Sequence, residues 1–206
     1  MVDSNKTLIN GIRLGCLYSY GCNSADINNL NEDLLGFAKS LSQESIDRAI
    51  IVLAHLDPYK NYQEDKLEEI FGEKRVITYW LGSLNCDFKE THNWYVLLDI
   101  LRIQKESKHN LPDSLIQKLL DCSISYGKVI KILEDGWIVV RHFKLVVRNG
   151  KFSWEAIIKD KALESLAEGI EEGDFVSIHL EIIREKISED QIRIIEEKTR
   201  SVLENI

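Results

Sequence analysis

Two hydrophobic periods divide this sequence. Up to about residue 110, apolar residues recur every three to four positions, the spacing of one helix face. After Cys122 they alternate, or gather in β-branched runs bounded by turn residues. In the first part, Ile27, Leu30, Leu34 and Leu41 mark a helix over 27–41 with Asp26 as its N-cap. Ile46, Ala49, Ile50 and Leu53 mark a second, which Asp57-Pro58 stops because proline disfavours the α conformation in the residue before it. A short helix over 64–71 ends at Gly72. Residues 75–81 fit helix or strand by period, and their helical neighbours favour helix. Thr91 is placed to cap a helix over 92–105, with Trp94, Leu97, Leu98 and Leu101 as its apolar stripe. Pro112 opens one more, carrying Ile116, Leu119 and Leu120.

The second part predicts strands. The runs 129–133 and 137–141 are joined by Glu134-Asp135-Gly136, a short hairpin loop with glycine at its end. The run 143–148 enters Asn149-Gly150, a strong two-residue hairpin signal, and 151–158 pairs back. A short helix is expected over 160–168 before Gly169, then one long strand from Asp174 to Arg184. Ser188 followed by Gln191 is a capping box that opens a last helix with Ile192, Ile195, Thr199 and Val202 inward. The fold class is therefore α+β: an N-terminal all-α domain over 1–118, then a small β-barrel over 119–206 closed by a C-terminal helix. No internal repeat is visible, and the change of period argues against duplication.

The 206 residues are 44% hydrophobic, enough to bury substantial cores. A net charge of −8, without a cluster of basic and aromatic residues, argues against nucleic-acid binding. No apolar run approaches the roughly 20 residues of a membrane span, and no signal pattern opens the chain, so a cytoplasmic protein is expected. The four cysteines, Cys16, Cys22, Cys86 and Cys122, form no CxxC pair and have no nearby histidine at ligand spacing. Free thiols are the expectation, with a Cys16–Cys22 disulfide the lesser alternative, and a closed zinc site is not expected.

Cys122 and His179 are the residues of greatest chemical interest. Cys122 stands at a helix-to-strand junction. In the run 175–182, Val176, Ile178, Leu180 and Ile182 share one face, and Phe175, Ser177, His179 and Glu181 the other. The apolar face belongs inside the barrel, so His179 is expected to point outward, either towards a partner or metal fragment or as an ordinary surface histidine. A Cys122–His179 nucleophile and base would also need an orienting group and an oxyanion hole. No glycine-rich elbow follows Cys122, which ranks catalysis below binding. His55, and His92 with the aromatics Tyr79, Trp80, Trp94 and Tyr95, are explained as well by packing as by a pocket. The run from Tyr18 to Cys22 reads as a loop. There is no GxGxxG, phosphate-binding loop or HExxH motif.

The run Cys122-Ser-Ile-Ser-Tyr-Gly-Lys-Val129 resembles the opening of the HypC/HupF hydrogenase-maturation chaperones, Cys-x-x-x-Pro-Gly-(Lys or Gln)-(Val or Ile). Gly173-Asp-Phe-Val-Ser-Ile-His179 is similar to that family's Gly-Asp-Tyr-Val-Leu-Val-His block. The resemblance covers about residues 120–206. It implies an OB-like barrel and a non-enzymatic chaperone that delivers an iron fragment to a metalloenzyme precursor. Cys122 and His179 would then be metal- or partner-binding residues, with Tyr126 and Gly127 beside them. Iron is the metal it suggests, and a metalloenzyme precursor or maturation factor the partner. Tyr126 stands in place of the motif proline, Leu180–Glu181 in place of the glycine after the histidine, and the cysteine is internal rather than N-terminal. The whole chain also resembles an uncharacterised prokaryotic family that joins a helical domain to such a barrel. Two alternatives accompany the binding reading: an enzyme with a Cys122-based site at the domain interface, and a plain interaction module. Neither composition nor motif indicates an oligomeric state.

Overall fold

The computed structural model describes residues 10–14, 16, 18, 73–106, 111–157 and 161–205. The helices expected over 27–41, 42–57 and 64–71, together with His55 and Cys22, lie outside the described residues. The chain divides into two compact units, Met1–Tyr79 and Trp80–Ile206. The boundary expected at 118/119 falls inside the second of these. In the first unit the described residues near the start are helical, Tyr18 among them, where a loop was expected. Ile12, Cys16 and Tyr18 are buried there, and burial pushes the Cys16 thiol up to about 12.

Helix α1 (Glu73–Leu81) is followed by a 3-10 turn (Phe88–Glu90), α2 (His92–Glu106) and α3 (Asp113–Leu120). Thr91 precedes α2 and donates its hydroxyl to the Phe88 carbonyl at 2.6 Å. Residue 112, proline as expected, is the N-cap of α3. Strands β1 (Ser125–Ile132), β2 (Ile138–Arg148), β3 (Lys151–Ala156), β4 (Lys161–Ser165), β5 (Phe175–His179) and β6 (Ile182–Ile187) follow, then helix α4 (Glu189–Glu204). Both predicted hairpins form: β1 pairs antiparallel with β2 around Gly136, and β2 with β3 around Asn149 and Gly150, whose φ values of 52° and 70° suit that turn. The capping box of α4 is complete, with Ser188 and Gln191 exchanging side-chain and backbone bonds.

The strand order β1-β5-β6-β4-β2 closes by a β1–β2 pairing, giving a five-strand barrel of OB-like form, with β3 extending β2 as a hairpin arm. All the closing contacts are antiparallel except β4–β6. Val129, Val140, Leu163, Val176, Ile178 and Ile183 fill the interior. Space is tight at Gly127, where a Cβ would come 3.0 Å from Ile178 Cδ1 and 3.1 Å from Val140 Cβ.

Two predicted elements are corrected. Residues 161–165 form β4, not a helix. Ala, Leu and Glu favour helix locally, but the segment joins β2 to β6 and so completes the barrel, and tertiary pairing overrides propensity. The expected long strand 174–184 is two strands, β5 and β6, folded back at Leu180–Glu181.

A second core lies outside the barrel. Val96, Leu97 and Ile100 of α2, Ile116 and Leu120 of α3, and Val202 of α4 pack on Leu145 and Val147 of β2. The buried face of α2 is thus rotated from the predicted stripe. Leu98 is 39% exposed, while His92 and Asn93 turn inward. Among the described residues no helix is long and apolar enough to cross a membrane.

Candidate functional site

Cys122 and His179 meet. The thiol Sγ lies 3.5 Å from His179 Nε2, across 57 positions of sequence. Cys122 occupies the turn that closes α3, where its N–H donates to the Leu119 carbonyl and that of Ser123 to the Leu120 carbonyl. His179 ends β5. Its backbone is fixed by Arg184 of β6, which is fully buried and donates from Nε and Nη2 to the His179 carbonyl at 3.3 and 3.0 Å. The next residue, Leu180, donates its N–H to the Asp121 carbonyl at 3.1 Å. Lys144 adds an ion pair to Asp121 at 2.7 Å and approaches Glu181 at 3.9 Å. The hairpin turn is therefore tied to the residue just before Cys122.

The sequence reading had His179 facing outward, and alternation holds: Val176 and Ile178 are in the barrel interior and His179 is not. Its solvent exposure is nevertheless 0%, because the outer face is covered. Trp80 lies across it, ring centroids 5.4 Å apart, and His92 meets it edge-on at 5.1 Å. A period-2 pattern reports direction, not what packs over that direction.

His92 is the site residue that the sequence pattern did not join to this pair. Its Nε2 lies 2.9 Å from the Cys122 carbonyl and 3.8 Å from Cys122 Sγ. Trp80 covers it as well, at 4.5 Å between ring centroids. Donor atoms of His92, Cys122 and His179 all lie within 4.8 Å of one another. The three come from α2, the α3–β1 turn and the end of β5, so no local spacing signals them. The sequence hint was His92 beside the aromatics Tyr79, Trp80, Trp94 and Tyr95, a grouping that packing explained as well as a pocket.

Burial, foremost, pushes the His179 imidazole down to about 4; charge on His92 and Arg184 acts in the same direction, and the Cys122 thiol in the opposite one. His179 is therefore neutral at physiological pH, the form in which imidazole accepts a hydrogen bond or ligates a metal.

The other two predicted site residues lie elsewhere on β1. Tyr126 is buried, stacked on Phe143 at 4.9 Å, and its hydroxyl donates to Glu196 of α4. Burial, then that hydrogen bond, raises its pKa well above the usual tyrosine range. Gly127 faces the barrel interior. Next to Tyr126, Ser125 Oγ sits 2.8 Å from His142 Nε2, both buried. The Ser125 hydroxyl also lies within donor reach of the Ile178 carbonyl, at 3.2 Å. Cys16, Cys86 and Cys122 are free thiols, as expected of the described cysteines.

The chain is thus an α+β protein with an OB-like barrel, in which a half-buried cysteine of the α3–β1 turn lies between buried histidines of α2 and β5. It belongs to a family of unknown function, DUF6390, which it matches over residues 52–206. No curated protein and no solved structure matches it.

Proposed function

We propose that this chain is a non-enzymatic binding protein of chaperone-like type that holds a metal ion or metal fragment at Cys122 and His179 on behalf of a protein partner. The observation that carries this reading is the 3.5 Å approach of Cys122 Sγ to a buried, neutral His179 Nε2. A thiol and a neutral imidazole form a borderline-soft donor pair suited to iron or zinc. The resemblance of 120–206 to the HypC/HupF chaperones assigns the same two positions to iron and partner binding. A metalloenzyme precursor or maturation factor is accordingly the partner proposed, and the cytoplasm the compartment.

A nucleophilic enzyme is the weaker reading. It has hydrogen-bond reach between thiol and imidazole in its favour. Against it stands the depressed basicity of His179, which disfavours the thiolate–imidazolium pair that activates such cysteines. The test is elemental analysis of protein purified without chelators, wild type beside Cys122→Ala. Co-purifying iron or zinc that is lost in the variant supports metal handling. Metal-free wild type that also fails to take up iron or zinc on titration removes it. A fast, low-pKa thiol in an iodoacetamide pH profile would favour the enzyme instead.

A further inference from the structure

We infer that His92 completes a three-donor His–Cys–His centre for a borderline divalent transition metal, with a fourth coordination position left to an exogenous ligand. The inference rests on the metal-handling reading above and extends it to a residue from α2. Its first support is dimensional. With metal–sulfur and metal–nitrogen bonds of about 2.3 and 2.05 Å, the sulfur–nitrogen edge of a tetrahedral site is about 3.5 Å. Cys122 Sγ stands 3.5 Å from His179 Nε2 and 3.8 Å from His92 Nε2. The whole donor set lies within 4.8 Å, against about 3.4 Å for a tetrahedral nitrogen–nitrogen edge, so modest side-chain closure completes it.

The second support is burial and rigidity. His179 is fully enclosed and His92 is 8% exposed, while Cys122 is only half-buried and gives the site its opening. Trp80 lies across both imidazoles and keeps water from that side. Asn93, adjacent to His92, is bonded to both backbone groups of Ile124, two residues beyond Cys122, which sets α2 and the cysteine turn in fixed register. Arg184 fixes the backbone at His179.

The third support is donor chemistry. One thiolate and two imidazoles form a set for Zn2+, Fe2+ or Co2+ rather than for Mg2+ or Ca2+, which require oxygen. Among the described residues this is the group of histidine, cysteine and carboxylate side chains close enough to hold an ion. The described residues supply three donors, and three protein donors with an open fourth position are characteristic of a centre that binds or passes on a ligand rather than of a closed structural site. Ligation exchanges existing bonds. The Cys122 Sγ proton leaves to solvent, and His92 Nε2 gives up its hydrogen bond to the Cys122 carbonyl, its proton moving to Nδ1.

The test is titration of the full-length metal-free protein with Co2+, read by absorption, followed by competition with Zn2+. The expected result is one equivalent of tetrahedral Co2+ with a single thiolate-to-cobalt charge-transfer band. His92→Gln should weaken Co2+ binding at least ten-fold and shift the visible bands. His92→Cys should restore binding and roughly double the charge-transfer intensity, since that intensity follows the number of thiolates. Circular dichroism and thermal melts of each metal-free variant separate ligand loss from unfolding. If binding needs Cys122 and His179 but His92→Gln leaves affinity and bands unchanged, His92 is not a ligand and the two-residue reading survives alone. If the folded wild type takes up neither Co2+ nor Zn2+, both readings fall.

Discussion

The side chain of Asn93 closes both backbone groups of Ile124: the Ile124 N–H donates to Oδ1 at 2.6 Å, and Nδ2 donates to the Ile124 carbonyl at 3.1 Å. One amide on α2 thus does for the residue before β1 what a neighbouring strand would do. The same Nδ2 donates to Thr199 of α4 at 2.9 Å, so a single buried side chain joins two helices to the barrel entrance.

Asn93→Leu should therefore be costly although it adds apolar surface. It leaves a buried N–H and a buried C=O of Ile124 without their side-chain partner, at roughly 1–3 kcal/mol for each buried group so orphaned. A loss of about 2–4 kcal/mol in urea unfolding is expected. Asn93→Asp keeps the acceptor and loses the donor, and should fall between wild type and Asn93→Leu. Equal stability of wild type and Asn93→Leu would show that the clamp contributes nothing net.

His179 makes stability depend on pH in a definite direction. Its native pKa is depressed to about 4 from an ordinary 6.5, chiefly by burial. The native protein then binds fewer protons than the unfolded chain between these values, and unfolding becomes easier as pH falls. The stability linked to neutral His179 is present above pH 6.5 and is lost progressively down to about pH 4. A shift of this size corresponds to roughly 3 kcal/mol. Metal-free wild type should lose that much more than His179→Gln across the window, measured by urea unfolding at matched ionic strength. Parallel pH profiles for the two proteins would contradict the assignment.

The turn that carries His179 is conformationally unfavourable. Leu180 and Glu181 have φ of 52° and 61°, the left-handed values of a type I′ turn, and His179 pairs with Ile182 across it. Such turns favour Asn-Gly, because a Cβ in this region is strained. Glu181→Gly should relieve part of that strain. The Lys144 contact it removes is long, at 3.9 Å, and the Glu181 side chain is 41% exposed, so its loss costs little. A net gain of about 0.5–1 kcal/mol is expected, read as a higher melting temperature. A lower melting temperature would mean that the Lys144–Glu181 contact outweighs the strain.

This turn also shows why part of the fold could not be read from sequence. The Gly136 and Asn149-Gly150 hairpins carry the residues their backbones need, and the pattern located both. Leu180–Glu181 carries neither glycine nor asparagine, and its apolar neighbours continue the strand period, so two strands looked like one. The segment 161–165 failed for a different reason: its residues favour helix, and only pairing with β2 and β6 makes it a strand. At the site, Cys122 and His179 stood out through the blocks around them. His92 did not, because what makes it significant is its 3.8 Å approach to a thiol 30 positions away, and single-chain periodicity carries no such distance.

Trp80 gives the site an optical reporter. Its ring centroid lies 4.5 Å from that of His92 and 5.4 Å from that of His179, and it is 4% exposed. The chain has three other tryptophans, Trp94, Trp137 and Trp154. Trp137 is 45% exposed at the β1–β2 hairpin, and Trp154 stacks with Tyr126. A paramagnetic ion held between His92 and His179 would sit within ring-contact range of Trp80 and quench its blue-shifted emission most strongly. Co2+ should therefore quench fluorescence saturably at one equivalent, with diamagnetic Zn2+ producing a much smaller change. In Trp80→Phe, which keeps an apolar ring over the imidazoles, the Co2+ absorption bands should persist while most of the quenching disappears. If quenching is as deep in Trp80→Phe as in wild type, the ion lies nearer another tryptophan, and the His–Cys–His cluster is not where it binds.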